Sequence, residues 1–174
     1  MAWDVKDALE TLTTAMQVEV QGRAFYLTAS DRTQDESGKA MFRSLAADEA
    51  EHHEKLKRQY DQLASTGQWV KKSEVIDRQA ARWAMPQLFP TKKVGSAAAT
   101  DDVEALKLAL QSEKNGYTAY ASSRDKADNL DAKAFFAYLA EEEIGHYRIL
   151  DAALQYLGDT ASYFLIEEKA INEG

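Results

Sequence analysis

The chain has 174 residues, of which 45% are hydrophobic, enough for one domain with a sizeable core. Its formal charge of -8, with acidic and basic residues interspersed, argues against a nucleic-acid partner. The absence of cysteine excludes disulfides, thiolate catalysis and iron–sulfur clusters on this chain. There is neither an apolar signal core at the start nor a run of about 18 apolar residues, so we expect a cytoplasmic protein that does not enter a membrane.

Helix-breaking residues are scarce, with two prolines and eight glycines in the chain, and long stretches consist of good helix formers. We therefore predict an all-α fold. Taken in chain order, the hydrophobic periodicity predicts four long helices, over about 5–33, 37–65, 101–127 and 131–157. Asp4 and Thr100 are expected N-caps of the first and third helices, and Gly67 and Gly158 lie where the second and fourth should end.

The joints between these helices predict their pairing. Short polar segments at 34–38 and 128–131 favour two antiparallel hairpins, about 5–65 and 101–157. Two hairpins make a four-helix bundle, which we expect to occupy a single domain, 1–174.

The connector between the hairpins, 66–100, is too long for a tight turn. We expect a long crossover that runs back along the bundle, so that the third helix starts at the opposite end. It should contain a short helix from Ser73 to Met85, which Pro86 ends. Residues 158–174 are expected to form a tail with a short C-terminal helix over 160–172.

The two predicted hairpins are copies of one unit. At an offset of 94 the sequence matches itself without a gap, from Asp7 against Asp101 to Leu63 against Leu157, and eighteen of the pairs are identical. The identical pairs include Leu12/Leu106, Ala15/Ala109, Glu19/Glu113, Gly22/Gly116, Tyr26/Tyr120, Phe42/Phe136, Leu45/Leu139, Glu49/Glu143, His52/His146 and Leu56/Leu150. We infer a duplicated helical hairpin.

Polar residues interrupt the apolar stripe of each long helix at mid-length. The second and fourth helices each carry Glu-x-x-His between leucines, which places both side chains on the apolar face. The first and third helices each contribute one glutamate. These six residues are Glu19, Glu49, His52, Glu113, Glu143 and His146. We expect four carboxylates and two imidazoles to converge in the middle of the bundle.

Four buried carboxylates cannot all stay ionised without compensation, and no lysine or arginine lies on these stripes at that level. Two divalent metals would supply the four positive charges. Glu-x-x-His on two helices and one glutamate on each of the others is the ligand set of di-iron and di-manganese bundles. We predict a dinuclear site that holds two iron ions, with manganese or zinc as alternatives.

Single features have simpler interpretations. One Glu-x-x-His alone is typical of a solvated helix face, and it is the duplication that favours ligation here. Tyr26 and Tyr120 lie seven residues after Glu19 and Glu113, so they either pack in the core or donate their hydroxyl groups to ligand carboxylates. Packing roles are also expected for the three tryptophans, Trp3, Trp69 and Trp83.

Four segments, one in each core helix, carry a family resemblance: AMQVEVQGRAFY, FRSLAADEAEHHEKL, LALQSEKNGYTAY and FFAYLAEEEIGHYRIL, together with LFP in the connector. The chain resembles the rubrerythrin-like branch of the ferritin-like superfamily. The resemblance implies a ferritin-like bundle and assigns ligand roles: bridging carboxylates at Glu49 and Glu143, terminal carboxylates at Glu19 and Glu113, and imidazoles at His52 and His146. It also implies that Asp48 and Glu142 orient the histidine of the opposite half, unless they are ordinary exposed charges.

The sequence departs from that family in two places. Rubrerythrins proper carry a C-terminal rubredoxin domain with a four-cysteine iron, which this cysteine-free chain does not have. A separate electron donor, such as a rubredoxin, is therefore implied. Classical members also have an extra glutamate one turn after the third-helix ligand, where this sequence has Gly116. That glutamate is linked in the family to ligand exchange and efficient peroxide reduction, so its absence favours a symmetric site like that of bacterioferritin.

The leading functional hypothesis is a di-iron peroxidase or oxidase that reduces hydrogen peroxide or dioxygen with an external donor. An iron-binding, ferroxidase or iron-storage protein without reductive turnover is the alternative, and a structural bundle with zinc or no metal is a third. A homodimer is expected for such a bundle.

Overall fold

The computed structural model describes the backbone of residues 3–75 and 99–172 and the side chains of residues 3–75 and 102–157. These ranges contain five helices: α1 Val5–Arg32, α2 Glu36–Thr66, α3 Lys72–Val75, α4 Ala99–Lys126 and α5 Leu130–Asn172. The four long helices confirm the predicted all-α fold. Helix α3 begins one residue before the predicted connector helix from Ser73 to Met85 and overlaps its start. The rest of that predicted helix lies outside the described residues, as does Pro86.

The helix ends follow the predicted residues at Asp4 and Gly67 but not at Thr100 and Gly158. Asp4 caps α1 by accepting a hydrogen bond from the backbone N–H of Lys6 at 3.3 Å. Gly67 ends α2 in the left-handed conformation, with φ of 68°, which glycine adopts without steric cost. Thr100 is not the N-cap that the sequence predicted, because α4 begins one residue earlier, at Ala99.

Helix α5 is longer than the sequence predicted. Its 43 residues run through Gly158 to Asn172 without a break, so the structure replaces the expected stop and separate terminal helix with one continuous helix. A glycine inside a helix costs only about 1 kcal/mol relative to alanine, and the residues that follow Gly158 include many good helix formers. No helix in the described part of the chain is both long and apolar enough to cross a membrane.

The long helices pack as two antiparallel hairpins, α1 with α2 and α4 with α5. The end of α1 lies beside the start of α4, since the Thr33 hydroxyl donates to Asp102 at 2.7 Å. At the other end of the bundle, the backbone N–H of Lys72, just after α2, donates to Asp131 at the start of α5. The connector therefore leaves one end of the bundle and α4 starts at the other, as the crossover prediction requires.

The core consists of two apolar clusters with a polar layer between them. Along α1, Leu12 and Ala15 belong to one cluster and Tyr26 to the other. Along α2 the order is reversed, with Leu45 in the second cluster and Leu56 in the first. The residues between these positions form a buried polar layer with an apolar cluster on each side of it.

Candidate metal centre

The polar layer contains all six predicted ligands. Helix α1 supplies one glutamate, α4 another, and α2 and α5 each supply a Glu-x-x-His pair. The six side chains are Glu19, Glu49, His52, Glu113, Glu143 and His146, and none exposes more than 5% of its surface. The duplication thus brings one set of residue types from each hairpin to the same level of the bundle.

The six residues form two overlapping groups whose ligand atoms lie within 4.8 Å of one another. The first group contains Glu19, Glu49, His52 and Glu143, and the second contains Glu49, Glu113 and His146. Glu49 belongs to both, which is the position that a bridging carboxylate requires. Glu143 joins the first group alone, so its bridging role stays a prediction.

Each histidine presents Nδ1 to the carboxylates. His52 Nδ1 lies 3.5 Å from Glu19 Oε2 and 3.7 Å from Glu143 Oε1. His146 Nδ1 lies 3.4 Å from Glu49 Oε1 and 3.3 Å from Glu113 Oε2. The two imidazole rings stack with centroids 5.5 Å apart. The Nδ1 atom of His52 thus faces Glu19 and Glu143, and the Nδ1 atom of His146 faces Glu49 and Glu113.

The other nitrogen of each ring faces a carboxylate on the opposite hairpin. His52 Nε2 lies 3.8 Å from Glu142 on α5, and His146 Nε2 lies 3.8 Å from Asp48 on α2. The structure therefore brings Asp48 and Glu142 to the histidines that the resemblance assigned to them. Carboxylates in this position fix the orientation of a metal-ligating imidazole and raise its basicity.

The two predicted tyrosines also reach across the bundle. The Tyr26 hydroxyl on α1 donates a hydrogen bond to Glu113 Oε1 on α4, and the Tyr120 hydroxyl on α4 donates to Glu19 Oε1 on α1. Burial, followed by the neighbouring carboxylates, raises the pKa of both tyrosines well above the ordinary value. They therefore remain protonated donors, which favours the predicted donor role over packing alone.

Electrostatics divide the four carboxyl groups into two kinds. Burial, together with the adjacent Glu19, raises the pKa of Glu49 to about 8, and burial with Glu113 and Glu49 raises that of Glu143 well above its ordinary value. Burial also acts to raise the pKa of Glu19, but its interactions with Glu49 and His52 outweigh that effect and lower it to about 2. His146, against the same effect of burial, lowers the pKa of Glu113. These shifts favour the protonated form of Glu49 and Glu143 and the ionised form of Glu19 and Glu113 in the metal-free cluster.

The histidines carry the balancing charge. Burial acts to lower the pKa of His52, but Glu142 and Glu19 raise it to about 9. The pKa of His146 is likewise raised well above its ordinary value, by Asp48, Glu113 and Glu49 against burial. The imidazolium forms of the histidines offset negative charge on the carboxylates of the metal-free cluster. Divalent cations would supply this positive charge in place of the protons.

The donor atoms fit such cations. Within the described residues, the buried atoms of the cluster that have no hydrogen bond include Glu19 Oε2, His52 Nδ1, Glu113 Oε2 and Glu143 Oε1. Tyr26 and Tyr120 engage Oε1 of their glutamates, and the unbonded Oε2 atoms face the histidines. An oxygen-rich set with two imidazoles suits iron or manganese and also accepts zinc.

Two glycines leave the space that the Glu-x-x-His glutamates occupy, a role that sequence reasoning missed. A Cβ atom at Gly22 would lie 3.5 Å from Glu49 Cδ, an ordinary contact. One at Gly116 would lie 3.1 Å from Glu143 Cδ and closer still to Oε2, which is too near. A glycine retained at mid-helix in both copies of a duplicated unit is the sequence signal that would have indicated this close approach.

Comparison with known proteins identifies the family. The sequence model of the rubrerythrin family matches residues 10–154, most of the chain. The chain belongs to the rubrerythrin family. This match extends over all four ligand-bearing segments, and with the buried carboxylate and histidine cluster it supports a di-iron type of centre. A search of curated proteins gives no significant match.

Two solved structures share the fold. A hypothetical protein from Pyrococcus furiosus is 24% identical, with a TM-score of 0.66 over 87% of this chain and 90% of its own. A two-domain protein from Anabaena variabilis, with DJ-1/ThiJ/PfpI-like and ferritin-like domains, is 16% identical, with a TM-score of 0.63 over 90% of this chain. The match covers 38% of the length of that protein. At these identities the likeness establishes the ferritin-like fold of this rubrerythrin-family chain.

Proposed function

We propose that the protein is a di-iron carboxylate oxidoreductase that reduces hydrogen peroxide or dioxygen and is restored by an external electron donor. The observation that carries the proposal is the sharing of Glu49 between two buried groups, each with its own histidine. Iron bound there would supply one electron per ion on passing from the ferrous to the ferric state. Glu19, Glu49, His52, Glu113, Glu143 and His146 would hold it.

The surrounding residues have distinct tasks in this proposal. Asp48 and Glu142 keep the Nδ1 atoms of the histidines directed into the centre, because they face the Nε2 atoms. Tyr26 and Tyr120 hold the terminal glutamates and stay protonated, so each has a proton available at the edge of the centre. The apolar clusters on both sides limit the access of water, which strengthens the electrostatic interactions inside.

A second candidate is a ferroxidase or iron-storage protein without reductive turnover. The close approach of Glu143 to Gly116 favours it, because Glu143 would have to shift before that position could hold the extra glutamate that the family resemblance links to efficient peroxide reduction. Reductive turnover with an added donor distinguishes the two candidates. Storage predicts iron uptake far above two ions per chain.

The remaining parts of the proposal concern the protein's setting. A rubredoxin-like protein is the proposed donor, since the cysteine-free chain has no electron-transfer cluster of its own. A homodimer and a cytoplasmic location are proposed on the grounds given by the sequence. Neither enters the argument for the centre itself.

Stopped-flow oxidation of the ferrous-loaded protein tests the function. We expect peroxide or dioxygen to change the iron spectrum faster than it changes that of free ferrous ion, and the rate enhancement to be lost in Glu49→Gln. Glu54→Gln, an exposed position on the same helix, is the matched control and should react as the wild type does. Oxidation no faster than that of free ferrous ion with either oxidant would overturn the proposal.

A further inference from the structure

A continuous row of aromatic rings connects one end of the bundle to the metal centre. Trp3 and Trp69 stack with centroids 5.9 Å apart, and they lie 5.6 and 5.9 Å from Phe136. Phe136 stacks on Tyr120 at 6.3 Å. The Tyr120 hydroxyl in turn donates a hydrogen bond to Glu19. Each ring in the row therefore packs against the next, from two half-buried indoles to a carboxylate of the centre.

Among the described residues, the other half of the duplicated bundle has no tryptophan in the corresponding place. Tyr26 stacks on Phe42 at 6.2 Å and donates to Glu113, as Tyr120 does with Phe136 and Glu19. In the part of the chain that the structure describes, no tryptophan ring packs against Tyr26 or Phe42. The tyrosine and phenylalanine are thus common to both halves, and within the described residues a tryptophan pair extends the row that contains Tyr120 and not the row that contains Tyr26.

We propose that Trp3, Trp69, Phe136 and Tyr120 form an electron-transfer relay between the bundle end and the metal centre. The proposal rests on the redox function proposed above. Tyrosine and tryptophan are the aromatic side chains that lose one electron most readily, and stacked indoles share the resulting charge. Phe136 is not itself oxidised at such potentials, and its fully buried ring bridges the short gap between donor and acceptor.

The electron and proton balance follows from the contacts. Dioxygen takes up four electrons on its way to water, and two ferrous ions supply only two of them. While the oxidant is incompletely reduced, Tyr120 gives it one further electron through the centre, and the hydroxyl proton of Tyr120 moves along the existing hydrogen bond to Glu19. The tryptophan pair returns one electron to Tyr120, which takes its proton back. An external one-electron donor then reduces the oxidised tryptophan. Each cycle moves one electron from that donor to the centre and leaves no net proton on Glu19.

The two ends of the row have suitable surroundings. Tyr120 exposes 3% of its surface, so its radical would be shielded from solvent. Trp3 is half-buried and lines an open groove between α1 and α4. A small reductant or a redox protein can approach the indole there without entering the apolar core.

Flash photolysis of the zinc-loaded full-length protein tests the relay. A ruthenium photosensitiser with a sacrificial oxidant removes one electron from a tryptophan, and transient absorption follows the tryptophanyl and tyrosyl radicals. Electron exchange between the tryptophan pair and Tyr120 is reversible, so the same contacts also carry an electron from Tyr120 to an oxidised tryptophan. In the wild type and in Tyr26→Phe, the tryptophanyl signal should therefore decay as a tyrosyl signal grows. In Tyr120→Phe, most of the tyrosyl signal should be lost and the tryptophanyl signal should last longer. Equal tyrosyl yields in Tyr26→Phe and Tyr120→Phe would overturn the relay.

A second variant keeps the test decisive if Tyr120→Phe loses zinc or fails to fold. The double variant Trp3→Phe/Trp69→Phe changes no residue of the centre and retains Trp83. Its tyrosyl yield should fall to a small fraction of the wild-type yield, and an unchanged yield would overturn the relay. Zinc is redox-inert, so this experiment does not depend on the iron reaction. A negative result here would not contradict the proposed iron reaction, and failure of the iron reaction would not change the result obtained here.

Discussion

The glycine pair at the centre offers a matched perturbation, Gly22→Ala against Gly116→Ala. Both glycines lie in helix interiors, where alanine is favoured by about 0.5–1 kcal/mol. At Gly22 the new methyl group meets Glu49 at 3.5 Å and needs no adjustment. We expect Gly22→Ala to raise the free energy of unfolding by about that amount.

At Gly116 the methyl group would meet Glu143 Cδ at 3.1 Å, so the carboxylate must move. Overpacking of a filled site costs about 1–3 kcal/mol, which cancels or exceeds the gain in helix propensity. The shifted carboxylate should also weaken metal binding by about 10- to 100-fold, the range observed when groups that orient metal ligands are removed.

Urea unfolding of the metal-free variants, followed by circular dichroism, measures the first effect, and cobalt titration followed by visible absorption measures the second. The account predicts a stability difference of about 1–3 kcal/mol between the two variants and a loss of cobalt affinity in Gly116→Ala alone. Equal stabilisation by both substitutions, with equal cobalt affinity, would refute the close packing of Glu143 against Gly116.

Three further predictions follow from the electrostatics of the cluster. At neutral pH, binding of divalent cations should release protons from Glu49 and His52, whose pKa values lie at about 8 and about 9; a pH-indicator dye measures the release, and metal binding without proton release would contradict the assignment. The metal-free protein should lose stability as pH rises, because the folded state holds the protons of Glu49 and His52 more tightly than the unfolded chain does. The loss due to Glu49 should run from pH 4.5 to about 8, and the loss due to His52 from pH 6.5 to about 9. Urea midpoints across this range test it, and a midpoint that rises with pH would refute it. Glu142→Gln should lower metal affinity about tenfold through His52, whereas its exposed neighbour Glu141→Gln should not; equal titration curves for both would remove the positioning role of Glu142.

The sequence predicts the centre well because the duplication repeats each signal. One Glu-x-x-His would not separate a ligand pair from a solvated face, but Glu49 and Glu143 recur at a fixed offset among leucines. The same repeat predicts the hairpins and the level at which their polar residues meet.

Contacts between the halves were harder to predict. Tyr26 and Tyr120 could be placed on the correct faces, but their partners, Glu113 and Glu19, depend on how one hairpin packs across the other. The sequence alone likewise does not determine whether a glycine near an expected helix end stops the helix. Gly67 takes a positive φ and ends α2, whereas α5 continues through Gly158, because the cost of one helical glycine is small beside the propensity of the residues after it.

Metal stoichiometry tests the central claim most directly. Protein purified without chelator should be analysed for its metal content and then titrated with ferrous ion under anaerobic conditions, alongside Glu49→Gln. The account predicts about two metals per chain in the wild type, with both sites weakened together in Glu49→Gln because that carboxylate belongs to both groups. One metal or none per chain, or a variant that still binds two ions with wild-type affinity, would contradict a shared dinuclear centre.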